Sequence, residues 1–268
     1  MKTQLHVWIL LTLFASTALA QSNSPTQTNT SSQTNAQTRA PVIDVHMHAY
    51  AKDARWDHKV GNPITGREMT ATNEQAHMHE TLAEMKKYNI VKALVSTHYE
   101  AVLRWKAAAS DSIIPAYGFD DLAQVNLEFL RKEHAAGRLQ ALGEVGIQYS
   151  GLAPNDPKME PIYALAEELD LPLGIHIGLS KPGVAYDDSP KYRAALSNPM
   201  LLEEVLLRHP KMRLYVMHAG WPMLDQMVWP DVIGPAIEGI ESAAFLSEEQ
   251  KRDILYNNAV RFLRLDKK

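Results

Sequence analysis

Five side chains in this sequence have the chemistry of a metal site. His46 and His48 close an apolar run in the stretch "PVIDVHMHAY" (41–50). Glu144 stands in "GEVG", His176 in "GIHIG" and His218 in "VMHAGWP". In a strand, residues i and i+2 point to one side, so His46 and His48 project together. The sequence holds no cysteine. Ligands must therefore be imidazole nitrogens or carboxylate oxygens, a donor set suited to a divalent cation. A lone histidine at a strand end is commonly a satisfied core or rim residue. Five such groups gathered at one buried place are costly unless a cation balances them. The other histidines do not join this set. His77 and His79 are read on a helix, where i and i+2 lie on different faces. His98 follows the second strand, at the rim, and His6, His58, His134 and His209 read as leader, loop or helix-surface residues.

The groups need strands to carry them, and six apolar runs supply them. These are "VIDVHMH" (42–48), "VKALVST" (91–97), "IIPAYGF" (113–119), "LQALGEVGI" (139–147), "LPLGIHIG" (171–178) and "RLYVMHAG" (213–220). Their continuous apolar character is that of parallel strands buried on both faces. Helical patterns lie between them, over 73–89, 122–137, 159–170 and 199–210. Strand alternating with helix implies an α/β fold with a parallel sheet. The expected architecture is a TIM-like (β/α) barrel, with a doubly wound sheet as the alternative. In such a barrel the C-terminal ends of the strands form the site, and every one of the five groups falls there. Near the C-terminus Ser247 and Gln250 form a capping box ahead of the helical stretch "KRDILYNNAVRFLRL".

The chain has 268 residues and a net charge of −4. That balance offers nothing to nucleic acid or to an anionic membrane surface, and leaves a small-molecule substrate as the expected partner. Residues 1–20 have the form of a signal peptide, with Lys2, a short apolar core and Ala18-Leu19-Ala20 at the cleavage position. Residues 21–40, rich in Gln, Ser, Asn and Thr, read as a disordered polar linker. The folded domain is then 41–268, periplasmic or secreted, with no stable membrane anchor after cleavage.

"DVHMH", "GEVG", "GIHIG", "VMHAGWP" and the closing "ILYNNAVRFLRL" together resemble the amidohydrolase-related superfamily of metal-dependent hydrolases. The resemblance spans essentially all of 41–268. It implies a barrel holding one or two divalent metals, often zinc, that activate water. The implied metal ligands are His46, His48, Glu144 and His176, with His218 as electrophile or general acid. It also implies an acidic residue at the end of an eighth strand, as ligand or base. Hydrolysis of an amide, ester or lactone is the expected activity. Metal-assisted decarboxylation of an aromatic acid is an alternative within the same superfamily. A degenerate barrel that binds metal or ligand without turnover is the other.

The pattern departs from the family after His218. A βα unit takes about 30 residues, so completing an eight-stranded barrel from there needs about 80. Only 50 residues follow His218. The stretch "WPMLDQMVWP" joins a helix-6 motif directly to one that follows strand 8 in the family. Strands 7 and 8 are not recognisable, and the barrel is expected to be incomplete through an internal deletion. Asp225 lies at the junction and is the candidate for the strand-8 carboxylate, with Asp231 behind it. An open barrel exposes strand edges. Either strands 1 and 6 close on each other, or the tail covers the gap, or the chain forms a homo-oligomer there. The loop "SKPGVAYDDSPKYR" (180–193) overhangs the site, where Lys181, Tyr186 or Arg193 would meet an anionic substrate.

Overall fold

A computed structural model describes residues 39–52, 56, 66–68, 70–180, 183–186, 189–218 and 233–266. The expected signal peptide, the expected linker up to residue 38, Lys181, Asp225 and Asp231 lie outside the described residues.

Six parallel strands form one curved sheet: β1 (Val42–Ala49), β2 (Ile90–Thr97), β3 (Ile113–Phe119), β4 (Ala141–Val145), β5 (Leu173–His176) and β6 (Leu214–Met217). Their order in space is their order in sequence, β1-β2-β3-β4-β5-β6. A doubly wound sheet reverses direction part-way through, so this order selects the barrel topology. Helices α1 (Glu74–Lys87), α2 (Tyr99–Ala108), α3 (Leu127–Ala135), α4 (Glu160–Glu168) and α5 (Glu203–Arg208) follow the first five strands. Each begins near a polar cap or turn. Asn73 accepts from Ala76 N–H at 2.9 Å, and Asn126 accepts from Phe129 N–H at 3.0 Å. The helix read over 122–137 is in fact a 3-10 turn, Leu122–Gln124, and then α3. Asp121 and Asn126 each cap a separate start and break the run.

The sheet has two dry faces. Outside, Ala93, Val95, Trp105, Leu142, Tyr163, Leu173 and Ile175 pack between strands and helices, all 2% exposed or less. Inside, Leu94, Ile114, Ala116, Ala141, Tyr215 and Met217 form the barrel interior together with Val45 and the tail residues Phe262, Leu263 and Leu265. This is why the strands read as continuous apolar runs.

The tail covers the gap between β6 and β1. After α6 (Ile233–Glu241), the capping box of Ser247 and Gln250 starts α7 (Glu248–Arg252). A π-turn over Asp253–Asn257 leads to α8 (Asn258–Leu263). On the β6 side, Arg213 donates to Phe262 O at 2.5 Å and to Asp170 Oδ1 at 2.8 Å, and Arg264 also pairs with Asp170. On the β1 side, Arg252 donates to Pro41 O. Tyr215 reaches across the interior, its ring against Phe262 (centroids 5.4 Å apart). It fits because Gly174 on β5 has no side chain: a Cβ there would lie 2.4 Å from the Tyr215 ring.

His209 corrects a sequence expectation. It is buried, not on the surface, with Nε2 2.7 Å from Glu160 Oε1 and Nδ1 3.2 Å from Glu167 Oε2. Both carboxylates come from α4, so no local pattern in the sequence announced the burial.

Candidate metal centre

β1 delivers the histidine pair through an irregularity in its pairing. Asp44 pairs with Ala93 and Met47 with Val95, so β1 spends one residue more than β2 between the two positions. Such bulges re-aim side chains next to active sites. Asp44 Oδ1 accepts from the His46 N–H at 2.8 Å and holds the bulge from within. Met47 then turns outward into the core under α1 and α2, while His46 and His48 face the mouth.

The ring nitrogens converge. His46 Nε2 and His48 Nε2 are 2.8 Å apart. Glu144 Oε2 lies 3.5 Å from His46 Nε2 and 3.4 Å from His48 Nε2. The other oxygen, Oε1, meets His218 Nε2 at 2.9 Å and also His176 Nδ1. Glu144 on β4 thus touches all four imidazoles. The rings of His46 and His218 are 4.8 Å apart and those of His176 and His218 4.4 Å apart.

These groups fit a divalent cation. Ligands at about 2.0–2.1 Å on a tetrahedral metal stand about 3.3 Å from one another. Glu144 stands 3.4 and 3.5 Å from the histidine pair. His46, Glu144 and His218 form a His–Glu–His group whose ligand atoms lie within 4.8 Å of one another. His176, expected as a ligand, presents Nδ1 to Glu144, while its Nε2 is buried with no partner among the described residues. His218, expected as electrophile or acid, stands among the ligand atoms.

The electrostatics favour ligand-ready protonation states. Burial and the neighbouring His46 pull the His48 pKa down to about 3, so its ring is neutral. Burial lowers His218 as well, with Glu144 opposing. Burial would raise Glu144, but His46 and the hydrogen bonds from His176, His218 and His46 outweigh it and hold the carboxyl well below its ordinary range. The result is a buried anion beside a neutral His48, a pairing that a cation would stabilise.

A second layer orients the first. His48 Nδ1 meets Thr97 Oγ1 at the end of β2. Thr97 has φ +94°, a strained conformation for a β-branched residue, and such strain concentrates at functional sites. His218 has φ +63° and is held there by its bond to Glu144. Tyr149 packs edge-on to His176 (5.3 Å), stacks on Tyr192 (5.5 Å) and donates to Ser180 Oγ at 3.1 Å. These tyrosines wall the site, while Tyr186 is 94% exposed.

Sequence reasoning passed over Asp120, directly after β3. "FDDL" reads as an ordinary turn, and the pairing of β3 with β4, with Phe119 opposite Val145, sets it near Glu144.

A curved parallel sheet with a histidine–carboxylate cluster at the C-terminal ends of its strands defines the class: an α/β barrel of the TIM type, here with six strands among the described residues. The sequence matches the Amidohydrolase family over residues 43–236, and the chain belongs to that family. Members of the superfamily are enzymes, hydrolases and decarboxylases among them. None of the curated proteins matches the sequence. Solved structures share the fold at low identity. An uncharacterized TIM-barrel protein from Bordetella bronchiseptica is 13% identical over 84% of this chain and 99% of its own, with a TM-score of 0.55. A protein described as an amidohydrolase II is 14% identical over 83% and 99%, with a TM-score of 0.54. The 5-carboxyvanillate decarboxylase LigW from Sphingomonas paucimobilis is 15% identical over 84% and 99%, with a TM-score of 0.51.

Proposed function

We propose that this chain is an exported metal-dependent hydrolase that directs water at an amide, ester or lactone bond of a small molecule. The observation that carries the reading is the convergence of His46 Nε2, His48 Nε2 and Glu144 Oε2 on one point. His46, His48, Glu144 and either His176 or His218 would hold the cation, and zinc suits these nitrogen and oxygen donors. A bound zinc supplies Lewis-acid polarisation of a carbonyl and a more acidic water. Glu144 holds the rings of His176 and His218 by hydrogen bonding to them, and Thr97 Oγ1 holds the ring of His48. Tyr149 and Tyr192 shield one side from solvent and offer flat faces to substrate. Asp225 is the candidate for the remaining carboxylate. The leader-like residues 1–20 support export to the periplasm or medium. The incomplete barrel is compatible with a homo-oligomer.

A second reading is metal-assisted decarboxylation of an aromatic acid. The stacked Tyr149–Tyr192 pair beside His176 favours it, because such a wall suits an aromatic ring. A barrel that only binds metal or ligand is the third. The test is metal analysis of the purified chain, then turnover on a panel of chromogenic esters and lactones and CO2 release from aromatic acids. Ester or lactone turnover that disappears with chelator and returns with zinc supports the hydrolase. CO2 release alone supports the decarboxylase. Bound zinc with neither activity sinks both in favour of a binding protein.

A further inference from the structure

We propose that the cavity between α1 and α2, on the mouth side of the barrel, is a binding site for a free aromatic α-amino acid. The cavity has a volume of about 270 Å³, and Tyr50, Glu74, Met78, Ala101, Arg104 and Trp105 line it. Tyr50 directly follows Ala49, the last residue of β1, and Glu74 opens α1. The cavity therefore lies at the same end of the barrel as the metal centre. The Tyr50 ring also stacks on that of His48, with centroids 6.1 Å apart and 19° between the planes, so one side chain borders both places. Binding here needs neither turnover nor a bound metal, and the proposal stands apart from the hydrolase reading.

Each helix presents one stripe to the cavity. Ala101, Arg104 and Trp105 stand at i, i+3 and i+4 on α2, and Glu74 and Met78 at i and i+4 on α1, spacings that share a helix face. Trp105 is 2% exposed and forms a fixed apolar wall. Tyr50 is held by edge-on contacts to His77 at 5.2 Å and Trp56 at 6.1 Å, and His77 packs on Trp105 at 5.9 Å. Two anchored aromatic side chains and the polarizable thioether of Met78 favour a flat ring as the occupant. The size agrees. A dry cavity of about 150 Å³ already accepts benzene, so the larger volume here takes a ring together with a short polar head.

The polar lining carries one charge of each sign. Arg104 Nη2 donates to Glu74 Oε2 at 2.9 Å, and the two side chains are 48% and 25% exposed. Arg104 Nε and Nη1 and Glu74 Oε1 take no partner among the described residues. An α-amino acid carries the matching pair. Its carboxylate accepts from the open Arg104 nitrogens and its ammonium donates to Glu74 Oε1, so charges of opposite sign alternate around the cluster. A simple acid would meet the Glu74 charge with nothing to offset it, and a simple amine would meet the Arg104 charge in the same way.

The test is equilibrium dialysis of the purified full chain against L-phenylalanine, 3-phenylpropionate and phenethylamine, repeated with E74Q and R104Q, with a thermal midpoint for each protein. Phenylalanine is expected to bind with a Kd on the order of 1 mM, the strength usual for a ligand of its size. It should bind at least about 10-fold more tightly than either analogue, because each analogue lacks one charge-assisted contact. R104Q should weaken phenylalanine by about 10-fold and prefer phenethylamine to 3-phenylpropionate, and E74Q should weaken it similarly with the opposite preference. The indole N–H resonance of Trp105, identified by its absence from W105F, should shift as phenylalanine is added. The ranking of the three ligands on the wild type decides the matter even where a variant fails to fold. An analogue that binds the wild type as tightly as phenylalanine would overturn the proposal. So would phenylalanine affinity unchanged in both folded variants, which places the ligand elsewhere, the metal centre included. Absence of binding at about 20 mM phenylalanine would overturn it as well.

Discussion

Tyr215 of β6 donates its hydroxyl hydrogen to Val45 O of β1 at 3.1 Å, joining the first and last described strands that no ladder connects. The ring fills the interior that further strands would otherwise surround, and Phe262 from the tail packs on it. Burial raises the phenol's pKa, so it stays a donor throughout the ordinary pH range.

This relationship makes Gly174→Ala and Tyr215→Phe informative. A methyl at residue 174 overpacks against the Tyr215 ring and is expected to cost about 1–3 kcal/mol. Tyr215→Phe leaves Val45 O without its donor and is expected to cost about 1–3 kcal/mol. In the double variant the two losses should fall short of their sum, because both act on one ring. Urea midpoints measure all three, and strict additivity would count against a shared contact.

Glu144→Gln keeps the shape of the side chain and removes its charge. Zinc affinity is expected to fall by at least about 10–100-fold, the range seen even for groups one layer removed from a metal. Competition with a chromogenic chelator reads this directly. An unchanged affinity would remove Glu144 from the metal centre.

Thr97 separates stability from binding. Thr97→Gly relieves a φ of +94° and is expected to stabilise the fold by up to about 1 kcal/mol. The same change removes the Oγ1 that meets His48 Nδ1 and should weaken zinc by about 10–100-fold. Thr97→Ser keeps the hydroxyl and should keep the affinity. A glycine variant that binds zinc as tightly as wild type refutes the orienting role.

The metal-free chain should be acid-labile from the histidine range downward. Folded His48 stays neutral to about pH 3, whereas the unfolded chain protonates it near 6.5. Between those values the unfolded state binds more protons, so stability falls as pH falls. His218 is shifted the same way. The depressed Glu144 adds stability that is present above its unfolded value of 4.5 and lost as pH drops through its lower folded value. Asp120, raised from 3.8 to about 6, acts in the opposite sense and offsets part of the loss between those values. Denaturant midpoints of chelator-treated protein at pH 7.5, 6 and 5 should decline in that order, and a flat series would falsify the assignment of a neutral His48.

The alternation of strand and helix, the barrel topology and the five groups at the strand ends were legible in the residues. Buried parallel strands are continuously apolar over a few residues, and His46-x-His48 is a local spacing with a fixed geometric meaning. The capping box of Ser247 and Gln250 is equally local. Other features depend on partners far apart in the chain. The burial of His209 depends on Glu160 and Glu167, more than forty residues away. Asp120 lies near Glu144 because β3 pairs with β4, with Phe119 opposite Val145. Closure of the gap depends on Arg213, Asp170 and Arg264 at one side, Arg252 and Pro41 at the other, and Tyr215 across the middle. The sequence by itself determined which residue types stand at the ends of which strands, because hydrophobic periodicity is written locally. Tertiary structure alone decided what those residues face, because an ion pair, a shared cavity or a bridged gap exists only once distant segments are brought within a few ångströms.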